Sequence, residues 1–275
     1  MSYVVDYHMH SYYSDGTMSP VELVKKYKKE EYDIIALTDH DGIDGLKEAF
    51  IAGESLEIKV ITGVELSTEY TFTGAGGKEI TADLHMLGYN FDVENKELLD
   101  TLEDLKVRRK ARNDQLVAAL NARGYNIDLA ALEAESKGGY VGKPNIARLL
   151  VERGVIEKTA DAWTSEEIFA APEIKKIKKV KLTAQEAIAL LVNAGGMPVL
   201  AHPAKTRGIG ERGSDEFWEN LEIIISTLKK IGLKGVECYH PNHSEEESYK
   251  LFKLAEKYHL HVTEGSDFHG KENER

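Results

Sequence analysis

Short apolar runs alternate with stretches of helical periodicity along most of this chain. Seven runs are bounded by turn residues: YVVDYHMH (3–10), YDIIALTDH (32–40), IKVITGVEL (58–66), TADLHMLGY (81–89), GMPVLAH (196–202), LKGVECYH (233–240) and LHVTEGSDFH (260–269). Their length and β-branched content predict strands. Helical patterns lie between most of them. SPVELVKKYKKEEY puts Ser19 at an N-cap and Pro20 at the first helical position. TAQEAIALLVNAGG (183–196) opens with Thr183 and Glu186 in capping-box spacing and closes on glycine. SEEESYKLFKLAEKY (244–258) gathers acids in its first turn, where the helix dipole favours them. Strands alternating with helices predict a mostly parallel α/β architecture.

The stretch 91–182 breaks the alternation. ENKELLDTLEDLKVRRKARNDQLVAALNARG (94–124) reads as one long helix or two, with leucines at 98, 102, 105, 116 and 120. KPNIARLLVERG (143–154) reads as a second helix and TSEEIFA (164–170) as a candidate third. The expected organisation is a barrel domain from 1–90 and 183–275, with 91–182 a helical insertion over its mouth, as lids often are. The lysine-rich EIKKIKKVK (173–181) is expected to be a solvated connector.

Each run also ends on, or is followed by, an ionisable residue: His8/His10, Asp39/His40, Glu65, His85, His202, Glu237/His240 and Asp267/His269. In a parallel α/β barrel the loops at the strands' C-terminal ends build the active site, so this pattern brings all seven sets to one mouth. H-x-H on a strand places both imidazoles on one face, because side chains alternate with period two. Histidine and carboxylate without thiolate is the ligand set of Mn, Fe or Zn in hydrolytic sites, not of a structural zinc finger.

Composition narrows the partners. The chain has 275 residues and a formal net charge of −12, which disfavours duplex nucleic acid and anionic membranes. A small phosphorylated substrate remains compatible, because local metal charge overrides the global sign. Cys238 is the single cysteine, so no intrachain disulfide forms and a reducing compartment is expected. No run is long and apolar enough for a membrane span, and the first strand begins at about Val4. A cytoplasmic protein without a signal peptide is the expectation.

Together, DYHMHSYYSDG, ALTDHD, TGVELS, HMLGY, LAHP and GSDFHG resemble the motifs of the PHP (polymerase and histidinol phosphatase) superfamily, in particular its TrpH/YciV-type branch of stand-alone phosphoesterases. The resemblance spans residues 4 to 270. It implies a distorted seven-stranded (β/α)7 TIM-like barrel with two or three divalent metals at its C-terminal mouth, Mn foremost and Fe or Zn as alternatives. By resemblance, His8, His10, Glu65 and Asp267 hold one metal; Glu65 bridges to a second bound by His85 and His202; Asp15, His40 and His269 hold a third. Many relatives carry histidine where this chain has Asp15, whereas the TrpH-type branch shares the aspartate.

The implied reaction is phosphate-ester hydrolysis by a water activated between cations. Asp39, His240 and His243 are the candidates for handling the leaving-group proton. Asp39 has a second reading, as a residue that orients a ligand. Arg109, Arg112, Lys143, Asn145, Arg148, Lys205 and Arg207 are the candidate phosphate contacts. Relatives typically show Arg-Pro-His where this chain has Lys143 and Asn145 around a proline, and lysine lacks the bidentate fork of arginine. The expected substrate is a nucleotide of the 3′,5′-bisphosphonucleotide type or the end of a short oligonucleotide. The alternatives are a 5′-end exonuclease, a histidinol-phosphate-type phosphatase and, last, a non-catalytic PHP module.

Overall fold

Strands and helices alternate in a mixed α/β chain in a computed structural model that describes residues 3–136 and 140–270. The N-terminal part runs β1 (Val5–Met9), α1 (Pro20–Lys29), β2 (Ile34–Leu37), α2 (Leu46–Leu56), β3 (Lys59–Ile61), β4 (Gly63–Thr73) and β5 (Glu79–Tyr89). Helices follow: α3 (Lys96–Ala122), α4 (Leu129–Glu135), α5 (Lys143–Glu152), α6 (Asp161–Thr164) and α7 (Pro172–Lys175). The C-terminal part runs β6 (Leu182–Thr183), α8 (Ala184–Asn193), β7 (Met197–Leu200), α9 (Asp215–Lys230), β8 (Gly235–Tyr239), α10 (Glu245–Lys257) and β9 (His261–Glu264).

Local sequence explains the helix starts. Ser19, Thr183 and Ser244 each cap a helix, and Glu22, Glu186 and Glu247 close the reciprocal bond to the cap's backbone. Each box satisfies two amides that would otherwise lack partners.

The described strands form two sheets, one ordered β1-β2-β3 and one ordered β6-β4-β5-β7-β8-β9. The mixed α/β architecture with largely parallel pairing is as expected, while a closed seven-stranded barrel is not shown among the described strands. The hairpin of β4 and β5 departs from the parallel pattern, pairing antiparallel from Gly63↔Tyr89 to Thr73↔Glu79. β5 is also antiparallel to β7, whereas the other described pairs are parallel. The third apolar run, expected to stop at Leu66, continues through STEYTFT because β-branched and aromatic residues favour extension. Single bridges, Met9↔Phe268 and His40↔Glu65, join the two sheets at their seams. Both seams are flanked by the ionisable residues of the sequence pattern, so side chains from both sheets converge there.

The main hydrophobic cluster lies between strands and helices and includes Val64, Leu66, Met86, Leu200 and Val236. A second cluster is built from Leu116, Val117, Leu120, Ile146, Leu150, Ile168, Phe169 and Ile174. The segment 94–124 forms one helix, α3, rather than two. Its Leu98 and Leu102 pack in the first cluster and its Leu116 and Leu120 in the second. The candidate helix at 164–170 is absent as such: α6 ends at Thr164 and Ser165 is extended (φ −70°, ψ 121°). There the Ser165 hydroxyl accepts from the Glu167 amide at 3.2 Å, a local bond that competes with helix continuation. No helix among the described residues is long and apolar enough to cross a membrane.

Candidate metal centre

Strand alternation turns His8 and His10 to one side of β1 while Met9 packs into the core, and all three are buried. Glu65, on β4 beside the seam, is fully buried and lies at the middle of the cluster. Its Oε2 is 3.4 Å from His8 Nε2, 3.3 Å from His10 Nε2 and 3.0 Å from His40 Nδ1. Its Oε1 is 2.9 Å from both His85 Nδ1 and His202 Nε2. Asp267 closes the first group, with Oδ1 at 3.6 Å from His8 Nε2 and 3.3 Å from His10 Nε2. On the other side, Asp15 lies 3.1 Å from His269 Nε2, 3.8 Å from His40 Nε2 and 3.9 Å from His10 Nδ1.

These spacings fit metal ions. Four donors held tetrahedrally at about 2.0–2.2 Å from one ion stand about 3.3–3.6 Å apart, and the contacts of His8, His10, Glu65 and Asp267 fall in that range. His8 Nε2, His10 Nε2, His40 Nδ1 and Glu65 Oε2 are buried without a hydrogen-bond partner. Leaving such atoms unsatisfied is costly in a dry site. Three groups bring candidate ligand atoms within 4.8 Å of one another: His8/His10/Glu65, His40/Glu65/His85 and His10/Asp15/His40/His269. His10 and His40 therefore stand between groups, whereas the sequence reading gave each to a single metal.

The electrostatics point the same way. Burial disfavours a charged His8, yet Glu237, Glu65 and Asp267 raise it well above its ordinary value. His10 is likewise lifted to about 9, against burial, by Asp267 and Glu65. Burial would raise Glu65, but His40, His85 and His8 hold it well below the usual carboxylate range. Burial pushes His202 down to about 4, keeping it neutral as a ligand requires. The carboxylates thus draw positive charge into the cluster.

Surrounding residues orient the ligands. Glu237, fully buried on β8, accepts from His8 Nδ1 at 2.9 Å and from the His202 amide at 2.6 Å. It thereby presents Nε2 of His8 to the cluster. Gly265 is required beside it, since a Cβ there would lie 2.2 Å from His8 Cβ and 2.8 Å from Glu237 Oε1. His202 (φ 26°) and Asp267 (φ 52°) adopt left-handed backbone, strain of the kind that gathers at functional sites.

The remaining predicted residues separate. Asp39 has both oxygens engaged: the Ser11 amide and the Ser14 hydroxyl donate to Oδ1 at 2.7 and 2.6 Å, and the Ser11 hydroxyl to Oδ2 at 2.7 Å. It pins the loop that carries Asp15. His240 Nδ1 accepts from the Asn242 amide at 3.0 Å, so its Nε2 carries the proton and faces Asp267 Oδ2 at 3.2 Å. His243 sits behind it, with Nδ1 donating to the Cys238 carbonyl at 3.2 Å.

Lys205 Nζ reaches Asp267 Oδ2 at 2.9 Å. Arg148 donates to the Asp15 carbonyl at 3.0 Å. Arg207 and Lys205 border a small 190 Å³ recess beside His85 and His202. Arg112 and Lys143 line a cleft of about 620 Å³ that reaches Asp15, His40 and His85. Arg109 does not join them. Its guanidinium lies 4.2 Å from the Tyr140 ring centroid, and it borders a separate 300 Å³ recess with Glu103 and Lys110. Asn145 is also diverted, accepting from the Gly142 amide at 2.9 Å as a helix-start bond.

Sequence reasoning missed two contributors. Glu237 stood in the pattern of ionisable residues but carried no assigned role; an acid inside the buried strand GVECY was its signal. The lysine connector 173–181 is not simply solvated. Lys179 pairs with buried Asp41 and donates to Ser67 Oγ at 2.8 Å, and Lys181 pairs with Asp83.

A buried cluster of imidazoles and carboxylates at strand ends in an α/β fold is a donor set that could hold metal ions, as a metal-dependent hydrolase requires. The PHP domain family matches residues 6–231, so the chain belongs to that family. It is 29% identical to a 5′-3′ exoribonuclease of Haemophilus influenzae over 96% of this chain and 89% of the relative. It is 27% identical to a 3′,5′-nucleoside bisphosphate phosphatase of Chromobacterium violaceum, over 96% of this chain and 87% of the relative. Among solved structures, a candidate metal-dependent phosphoesterase from Bifidobacterium adolescentis superposes with a TM-score of 0.80. The two are 28% identical, over 99% of this chain and 91% of the other.

Proposed function

We propose that the chain is a metal-dependent phosphoesterase acting on a small nucleotide, with a 3′,5′-bisphosphonucleotide as the leading substrate type. The observation that carries this reading is the set of unsatisfied buried metal-type ligand atoms on His8, His10, His40 and Glu65, with His40 bordering a cleft lined by cations. His8, His10, Glu65 and Asp267 would hold one divalent ion, Glu65 with His85 and His202 a second, and Asp15, His40 and His269 a third. Mn is the leading metal. Such ions supply an activated water at neutral pH and offset charge on phosphoryl oxygens.

The chain's own residues do the rest. Glu65 spans the groups and fixes their separation. Glu237 and His240 hold His8 and Asp267 in position. Asp39 holds the Asp15 loop, the positioning role rather than the proton-transfer role. Arg112 and Lys143 face the cleft to bind phosphate, and Lys205 stands beside Asp267 at its edge. Residues 91–182 act as a cap on a barrel domain formed by 1–90 and 183–275, narrowing access to small substrates.

A 5′-end exonuclease is the second reading. It is favoured by the Haemophilus relative and by a second cleft, of about 520 Å³, lined by Asp15, Asp267, Trp163 and Phe268. The test is release from mononucleotides, 3′,5′-bisphosphonucleotides, 5′-phosphorylated dinucleotides and histidinol phosphate, with Mn²⁺ or chelator. Mn-dependent inorganic phosphate from the bisphosphonucleotide is expected. Stepwise 5′-mononucleotides would favour the exonuclease, and turnover indifferent to chelator would overturn both.

A further inference from the structure

The cleft beside His40 and His85 is cationic out of proportion to a chain of net charge −12. Six of its lining side chains are lysine or arginine, against the carboxylates of Asp15, Glu69 and Asp83. Four of the six come from one short strap that crosses from α7 to β6: Lys175, Lys178, Lys179 and Lys181.

The four divide into two pairs with different surroundings. Lys179 and Lys181 are tied to Asp41 and Asp83, carboxylates carried by the sheet side of the cleft. Lys175 and Lys178 are exposed and make no ion pair or side-chain hydrogen bond among the described residues. Arg112 and Lys143, from α3 and α5, also lack an ion pair there. Arg112 Nε is buried without a partner. Burial and the neighbouring charge of Arg109 lower Arg112, and burial and Arg112 lower Lys143. With Asp83 tied to Lys181 and Asp15 facing His269, Glu69 is the remaining carboxylate against four cations gathered despite their mutual repulsion, the setting of an anion site.

We infer that Lys175 and Lys178, held in place by the anchors Lys179 and Lys181, form with Arg112 and Lys143 a subsite for a second phosphate of the substrate. This subsite sets the preference for substrates with two phosphates over those with one. It rests on the phosphoesterase reading above and assigns its selectivity to a strap outside the metal cluster. The role of the strap is ground-state binding: the lysines recognise a phosphate that does not react, and no bond to it forms or breaks.

The experiment compares a nucleoside 3′,5′-bisphosphate with the matching nucleoside 3′-monophosphate, in Mn²⁺, for the wild type and the double variant Lys175→Ala/Lys178→Ala. The wild type should prefer the bisphosphate. In the double variant the ratio of the two kcat/KM values should fall by about tenfold or more, since a charge-assisted contact contributes on the order of 1.5 kcal/mol. Raised ionic strength should erode the wild-type ratio in the same direction.

An unchanged ratio would overturn the inference, whether both rates persist or both fall together as they would from a merely structural strap. If the wild type hydrolyses neither ester, the phosphoesterase reading fails instead. The inference is then decided by calorimetric affinity for the bisphosphate: a loss in the double variant supports the subsite, and equal affinity overturns it.

Discussion

The candidate metal cluster and the helical segment 91–182 are built by opposite means. At the cluster, donors arrive from strand ends on both sheets, and most are buried and held by a further side chain: His8 by Glu237, Asp267 by His240 and Lys205, the Asp15 loop by Asp39. In the segment 91–182, helices pack around their own small core, and several of the cations they present to the cleft make no ion pair among the described residues. The first region is over-determined and the second is permissive. Chemistry needs donors fixed to within a fraction of an ångström, whereas choice among phosphorylated substrates needs only charges at the right edge of a cleft. A fold that keeps the two apart can alter its substrate without disturbing its metals.

The sharpest way to break this contrast is Glu65→Gln. The central donor loses its charge, and metal-dependent phosphate release should fall by roughly a thousandfold or more, because several kcal/mol of metal-derived stabilisation is removed. The fall should be accompanied by loss of bound Mn²⁺ in elemental analysis. Phosphate release within tenfold of wild type would mean that the cluster is not the reactive centre.

Two substitutions of similar size should act on stability instead. Leu150→Ala opens a cavity in the helical segment's core at a cost of about 3 kcal/mol, read by urea unfolding. Calorimetric Mn²⁺ affinity should stay unchanged if the regions are as separate as proposed. Lys179→Met leaves the buried carboxylate of Asp41 without its cation and should likewise cost about 3 kcal/mol, marking Lys179 as an anchor between the two regions.

Glu237→Gln sharpens the account of the cluster. It keeps the shape behind His8 but removes the charge, and should weaken Mn²⁺ binding by about 10- to 100-fold. The smallest effect is expected at Cys238. Burial pushes its thiol up to about 12, so below that pH it remains the unreactive thiol. Mass spectrometry after iodoacetamide at pH 8 should find the native protein unmodified and the urea-unfolded protein fully alkylated.

The same contrast explains what could be read from the amino-acid order. The cluster was legible because two local rules, strand periodicity and acids or histidines at strand ends, act on neighbouring residues such as His8 and His10 or Asp267 and His269. Helix starts at Ser19, Thr183 and Ser244 were legible through capping chemistry, which spans three residues. The seams were not, because the antiparallel turn-back of β4 and β5 depends on pairing across the GAGGK turn rather than on either run alone. Nor was the division of labour among the strap lysines. Lys178 and Lys179 are adjacent and chemically identical, and only the distant carboxylate of Asp41 tells the anchor from the free cation. The contacts of Arg109 and Asn145 were hidden for the same reason, since neither residue type announces its neighbour, the Tyr140 ring or the Gly142 amide.

The account stands most directly on whether the cluster holds metal. Crystals grown with Mn²⁺ should show strong anomalous difference peaks at the Mn edge, one among His8, His10, Glu65 and Asp267 and another between Glu65, His85 and His202. Both should vanish in Glu65→Gln crystals of the same form. A wild-type map with no peak among these side chains at saturating Mn²⁺ would contradict the account.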